Sequence, residues 1–262
     1  MHDLYPLLIL ALSLTSVSAQ EDFSDSQILQ WYKELRVADV SDGMDMAGLA
    51  DIGLMENNIM AVWKDIENFD HVIRGIAVTA RYIPTNRPRP VFENDDNFRS
   101  WEGNWYGQIS SEPFVEFLKE GSILVIDANG DGDTGSIGSN NSLLWKSKGM
   151  VGIVTTGSLR DSDEVIKQKI PVYMDPLQRG RGIRPGRNEI ESVQKTVQVG
   201  GVQINPGDVV VADGDGVIVV PRKYAKRVAE AAQIILDGDK NGRRALYKQL
   251  GIPLDFTVEE KN

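Results

Sequence analysis

The apolar positions change their period several times along the chain, and each change predicts an element. In SDSQILQWYKEL, residues 24–35, Ile28, Leu29, Trp31, Tyr32 and Leu35 recur near helical spacing behind a Ser/Asp start, which predicts a first helix. VADVSDGMDMAG predicts a second helix beginning near Ser41 or Asp42. IRGIAVTARYI predicts a strand, and SSEPFVEFLKEG a short helix with a serine cap, an early Pro113 and a closing Gly121. Between the last two, PTNRPRPVFENDDNFRSWEGNWYGQ is long, polar and studded with aromatics, the pattern of a loop that serves as a lid or an interface.

The centre of the chain is the most regular part. SILVIDA predicts a strand, DANGDGDTG an acidic glycine loop, SNNSLLWKSKG a helix and MVGIVTT a second strand, with a third buried run at IPVYM. That order is a βαβ pattern and sets the fold class as α/β. TVQVGGVQINPGDVVVADGDGVIVVPR then predicts short strands with turns at Gly200-Gly201, Pro206-Gly207 and Gly214, a β-rich half beside the βαβ half. Asp213 and Asp215 fall in one of these turns. KYAKRVAEAAQIILDG and NGRRALYKQLG predict two closing helices that pack on the sheet or on a neighbouring subunit.

Composition narrows the chemistry. The 262 residues are 41% hydrophobic and 25% charged, which suits one sizeable core, and the formal charge of −10 opposes nucleic acid or an anionic membrane as the main partner. The absence of cysteine excludes disulfides, thiolate metal sites and cysteine nucleophiles. With only His2 and His71, a histidine-rich metal site is excluded and any Ser-His-Asp triad depends on His71, which sits in FDHVIRG at a strand entrance and suits a structural role. The first residues hold an apolar run from Leu7 to Leu14, too short to span a bilayer, followed by Val17-Ser18-Ala19, the pattern of a secretory signal peptide cleaved after Ala19, although Asp3 and no Lys or Arg precede the run. Residues 1–19 are therefore expected to be a leader and 20–262 a single periplasmic or secreted domain with helical extensions at both ends.

DANGDGDTG satisfies two motif rules. As an EF-hand opening, through Asp127, Asn129, Asp131 and Gly132, it fails because position twelve is Gly138 and a β-run enters the loop. As a dinucleotide fingerprint, through Gly130, Gly132 and Gly135, it has strand, loop and helix in order, but Asp131 and Asp133 would oppose a pyrophosphate. A plain tight turn at a strand end remains open. Further on, TTGSLRDSDE places Arg160 beside Asp161 and Glu164 at the end of the second strand. Ligands of βαβ units collect at the C-terminal strand ends, so Gly138 to Asn141 should face Arg160 and Asp161. Free helix amides, a guanidinium and a carboxylate are parts for holding a 2-oxo acid on Mg²⁺ or Mn²⁺, while a surface salt bridge is the plainer alternative.

Gly138, one residue, a further twenty, then Arg160-Asp161-x-x-Glu164 resembles the signature of the RraA-like family, which includes the class II 4-hydroxy-4-methyl-2-oxoglutarate/4-carboxy-4-hydroxy-2-oxoadipate aldolases. VSDGMD, IRGIAVTA, GMVGIVTTGSLRD, IPVYM and VGGVQINPGDVVVADGDGVIVVP resemble that family's blocks in its order, over residues 36–235. The resemblance implies a β/β/α fold related to the phosphohistidine swivelling domain, a homotrimer or hexamer, and sites between subunits. It places substrate binding on Gly138, Ser139, Asn140, Asn141 and Arg160, and the metal on Asp161. The implied reaction is retro-aldol cleavage of a 4-hydroxy-2-oxo acid to pyruvate, with oxaloacetate decarboxylation as a side activity. In one respect the chain departs from the pattern: the aldolases carry an acidic residue after the motif glycine, and here Ser139 stands there. A serine hydroxyl is no base at neutral pH, so Asp131 or Asp133 takes over, the reaction differs, or aldol activity is lost. The alternatives implied are a protein-binding regulator, after the family's namesake, and an oxo-acid or sugar-acid binding or isomerising protein. Arg179, Arg181, Arg184 and Arg187 crowd one loop, suited to a second carboxylate, a neighbouring subunit or solvent.

Overall fold

Strand β2 (Ile73–Pro84) organises the molecule in the computed structural model, which describes residues 23–128, 134–178, 180, 182 and 185–259. Its first residues pair antiparallel with β9 (Val209–Asp213), its middle pairs parallel with β3 (Ser122–Asp127), and its end pairs antiparallel with β6 (Asn188–Val193). Beyond β3 the sheet continues in parallel through β4 (Met150–Thr155) and β5 (Val172–Met174) to the short antiparallel β1 (Met60–Ala61). On the other side β10 (Gly216–Val220) hairpins with β9, giving the order β1-β5-β4-β3-β2-β9-β10. A separate ribbon, β7 (Val197–Val199) with β8 (Val202–Ile204), folds against it. The β-rich half expected beside the βαβ half joins it in one sheet through β9 and β10. Strands β9 and β10 belong to the same sheet because β2 is long enough to hold β9 at one end and β6 at the other.

The two free edges approach each other. Residues 53–61 run from β10, where Leu54 bridges Ile218 and Val219 N–H donates to the Gly53 carbonyl, to β5, where Met60 faces Met174. A mixed sheet nearly closed into a barrel results. Period-two alternation fills it: Ile123 and Val125 of β3, Val210 of β9 and Val217 and Val219 of β10 share the interior core. Leu124 and Ile126 point the other way, onto Trp145 and Val165 of α4 (Ser139–Ser147) and α5 (Ser162–Lys167). Val209, Val211, Ile218 and Val220 meet a third core under α1 (Asp25–Tyr32), α2 (Val37–Met46) and α6 (Ala225–Leu250). Each such fully buried aliphatic side chain contributes about 1.5–3 kcal/mol.

Several expectations are corrected. Helix α2 starts at Val37, ahead of Ser41, because the Asp39 carboxylate reaches back to the Arg36 N–H (2.9 Å) and Asp213 accepts from the Val37 N–H (2.8 Å), which caps the first turn early. The two closing helices are one, since Gly238 and Gly242 lie inside α6, where Arg243 and Asp239 pair one turn apart (3.5 Å). The serine-capped helix after Ser111 is a single 3-10 turn, Pro113–Phe117, with no side-chain cap. The aromatic loop contains α3 (Asp95–Asn104), capped by Asn94, and continues into a π turn, Trp105–Ile109. Strand β6 has no clear sequence signal, because NEIESV carries two charged residues and two further polar ones among six and pairs only on one side. Residues 1–19, expected to be a leader, and Asp131, Asp133, Arg179, Arg181 and Arg184 lie outside the described residues.

Candidate active site

Parallel pairing places the ends of β3 and β4 on one edge, and two loops leave it together. Ile137, before α4, bridges Leu159, after β4, and the Arg160 N–H donates to the Ile137 carbonyl (2.9 Å). This bridge seats the Arg160 side chain across the start of α4. Its Nη1 donates to the Gly135 carbonyl. A Cβ on Gly138 would lie 2.6 Å from Arg160 Nη2, and one on Gly135 would lie 2.8 Å from Arg160 Cβ. Two glycines of DTGSIG are therefore bare so that a guanidinium can lie on the backbone, and no pyrophosphate is needed to explain them.

Asp161 follows in the left-handed region (φ 55°, ψ 41°), a conformation that costs a non-glycine residue about 1 kcal/mol or more and that clusters at functional sites. That twist turns its carboxylate onto the start of α4. Oδ2 accepts from both the N–H and the hydroxyl of Ser139 (3.1 Å each) and lies 3.7 Å from Arg160 Nε. A carboxylate at a helix N-terminus is stabilised by the free amides and the macrodipole. Oδ1 has no hydrogen bond among the described residues, and the side chain is 40% exposed. One outward carboxylate oxygen suits Mg²⁺ or Mn²⁺, which bind through one or two carboxylates and keep several waters. Among the described residues no three acidic, histidine or cysteine side chains gather to hold a metal, so among them a cation here would rest on Asp161.

The structure thus brings together Gly138, Ser139, Arg160 and Asp161. Asn140 is exposed at the helix start, and Glu164 is exposed on α5. Asn141 has a partner the sequence did not offer: its Nδ2 donates to Glu112, whose other oxygen accepts from Trp145 Nε1 (2.9 Å). Glu112 precedes the Pro113–Phe117 turn, so the segment that follows the aromatic loop anchors the helix that carries the site. The arginine-rich loop arrives from the other side: Gly135 N–H donates to the Gly182 carbonyl (2.8 Å), and Gly180 N–H to the Leu159 carbonyl (3.0 Å). A Cβ on Gly180 would lie 2.2 Å from the Gly135 Cα, so the close approach of the two backbones requires glycine at 180. His71 is away from the site. It is buried, and its Nδ1 accepts from the Asp65 N–H (3.1 Å). Asp213 accepts from the Asp215 N–H (2.8 Å) as a turn residue.

A mixed, nearly closed sheet flanked by helices defines an α/β class shared with solved proteins. The model of the RraA-like family, Aldolase/RraA, matches residues 37–219, and the chain belongs to that family. Protein DlpA of Legionella pneumophila is 25% identical over 203 residues, 77% of this chain and 28% of that protein. A 4-hydroxy-4-methyl-2-oxoglutarate aldolase of Thermus thermophilus is 29% identical over 101 residues, 38% of this chain and 60% of that protein. The alignments with these two relatives therefore take in less than two thirds of their length. Streptomyces coelicolor RraAS2, described as an unusual member of the RNase ES inhibitor RraA family, shares the fold with a TM-score of 0.63 and 21% identity over 85% of this chain and 98% of that one.

Proposed function

We propose that the chain is a divalent-metal-dependent carbon–carbon lyase that cleaves a 4-hydroxy-2-oxo acid to pyruvate and decarboxylates oxaloacetate. The observation that carries this reading is the convergence of Arg160 and Asp161 on the N-terminus of α4. Arg160 binds the substrate's carboxylate and 2-oxo group and stabilises negative charge as it develops there. Asp161, oriented by Ser139, holds Mg²⁺ or Mn²⁺, which supplies Lewis-acid polarisation of the 2-oxo acid when bound. In the cleavage the C4 hydroxyl loses its proton, C4 becomes a carbonyl, and the C3–C4 electron pair passes to the pyruvate enolate, which is then protonated at C3. The base is assigned to Asp131 or Asp133 of the acidic loop, because Ser139 is no base at neutral pH and its hydroxyl donates to Asp161. Decarboxylation of oxaloacetate needs the same enolate stabilisation and no such base. The proposal includes a homotrimer or hexamer, and export with cleavage after Ala19, which N-terminal sequencing of secreted protein checks.

The test is pyruvate release from oxaloacetate and from a series of 4-hydroxy-2-oxo acids, with Mg²⁺ or Mn²⁺ and then with EDTA, beside Asp161→Asn, Asp131→Asn and Asp133→Asn. Metal-dependent release that Asp161→Asn lowers by about a hundredfold or more is expected. Turnover untouched by EDTA and by Asp161→Asn would overturn the assignment. Ser139 favours one second reading, a site that binds or decarboxylates oxo acids without aldol cleavage. Release from oxaloacetate alone, unaffected in both acidic-loop variants, would establish it.

A further inference from the structure

A cavity of about 760 Å³ opens at the edge of the sheet opposite the candidate active site, where the parallel strands begin. Arg74 lines it near the start of β2 and Arg81 lies at the end that faces the candidate active site, seven residues or about 23 Å of strand away. Its walls come from both the family segment and beyond it: the β9–β10 turn at Asp213, Leu236 and Lys240 of α6, and Phe256 of the C-terminal tail. The tail is held in place by burial of Val258 and by Arg244 Nε donating to the Val258 carbonyl (2.7 Å), and it brings Phe256 edge-on to Phe69, with centroids 5.1 Å apart.

The cations around this cavity differ in how far they are committed. Arg36 pairs with Asp39 (2.5 Å) and Asp239 (2.8 Å), Lys240 with Glu34 (2.7 Å), and Lys64 donates to the Gly214 carbonyl (2.7 Å). Arg243 pairs with Asp239 at 3.5 Å. Arg74 is different: its Nε donates to the Leu35 carbonyl (2.7 Å), which fixes the plane of the guanidinium, and its two terminal nitrogens have no hydrogen bond or ion pair among the described residues. Burial holds its pKa below the usual arginine range, as expected for a desolvated cation whose attraction to nearby acids is incomplete. A fixed guanidinium with two free terminal donors is the geometry that takes a carboxylate in bidentate fashion. His71 adds a donor, since its Nδ1 is an acceptor and the ring proton therefore sits on Nε2.

We infer that this cavity binds a small amphipathic monocarboxylate, its carboxylate on the terminal N–H groups of Arg74 and its apolar part against Phe69 and Phe256. A single negative charge is specified because Arg74 is the one cation of the wall that is both shielded from solvent and free at its terminal nitrogens among the described residues, Lys33 being exposed, while Asp65, Asp213 and Asp215 also line the wall and oppose a dianion. Apolar surface supplies the rest, with Ile66 at 80% exposure, Phe69 and Phe256 all uncovered at the mouth.

Titration calorimetry of the full chain with phenylacetate, and separately with inorganic phosphate, tests this. Saturable phenylacetate binding is expected, weakened about tenfold or more in Arg74→Gln and measurably weakened in Phe256→Ser, while Arg160→Ala leaves it unchanged. Phe256 is half exposed, so its variant keeps the test decisive if Arg74→Gln fails to fold. Phenylacetate binding abolished by Arg160→Ala but not by the cavity variants would overturn the proposal. So would phosphate binding tighter than phenylacetate, or no saturable binding of phenylacetate.

Discussion

Gly138 shows how one missing methyl group sets the site. Its backbone (φ −114°, ψ 169°) is open to any residue, and the three atoms nearest to an added Cβ belong to the movable end of Arg160. Gly138→Ala should therefore cost about 1 kcal/mol or less of stability, because the guanidinium can swing away. Pyruvate release should fall by about a hundredfold, because that swing removes Arg160 from its seat. Thermal unfolding beside the oxo-acid assay separates the two effects, and equal loss of both would show that the contact is merely structural. His71 supplies a prediction in pH. Burial, and then the positive charge of Lys64, depress its pKa below the ordinary 6.5, and its Nδ1 already accepts a hydrogen bond. The unfolded chain then binds more protons than the folded one just below that value, so stability is fully present above about pH 6.5 and is lost as the pH falls through the folded pKa. His71→Asn, which retains an acceptor for Asp65, should flatten the fall in Tm between about pH 7 and about pH 5.

At the level of elements, what the sequence disclosed follows the range over which each element is determined. Strands β3 and β4, with their buried runs, and α1, with its Ser24 capping box, are fixed by neighbours in sequence and were legible there. The start of α2 was not, because part of its cap is Asp213, brought in by folding from the far end of β9. Glu112 escaped for the same reason: nothing in SSEPF announces that its carboxylate reaches Asn141 and Trp145 on α4. The pair Arg160-Asp161 and the glycine before α4 were legible because their motif spacing is local to one βαβ unit, whereas the left-handed backbone of Asp161 carries no sequence signal. The break expected in α6 was a case of local rules losing. Gly238 and Gly242 weaken a helix interior, yet the packing of Val228, Ala232 and Leu236 on the sheet holds the first half. A Cβ at either glycine meets nothing within 4 Å, and both sit inside the helix. Gly238→Ala with Gly242→Ala should therefore stabilise the protein by about 1–2 kcal/mol in urea unfolding, and no gain would mean that this end of α6 is already unwound in solution.

For the whole molecule the decisive feature is closure, which no single segment announces. Residues 53–61 have little strand character in sequence, and they matter because they tie β10 to β5 and turn an open sheet into a near-barrel with a filled interior. Gly53 is the tightest point of that seam. A Cβ there would lie 2.3 Å from the Val219 carbonyl oxygen and 2.7 Å from Met44 Cε, and the first of these is backbone held by the Gly53–Val219 hydrogen bond, which cannot give way cheaply. Gly53→Ala should cost about 1–3 kcal/mol, more than an ordinary surface substitution. Gly103→Ala is the control, since a Cβ there meets nothing within 4 Å. The more telling readout is hydrogen exchange. If closure is cooperative, the amides of β10 and of β5 lose protection together in Gly53→Ala although of these two strands the substitution touches only β10, while the central β3 keeps its own. Loss confined to β10 would mean that the two edges are stable independently. The sheet would then be open in energetic terms, and the candidate active site at its parallel edge would owe nothing to the seam.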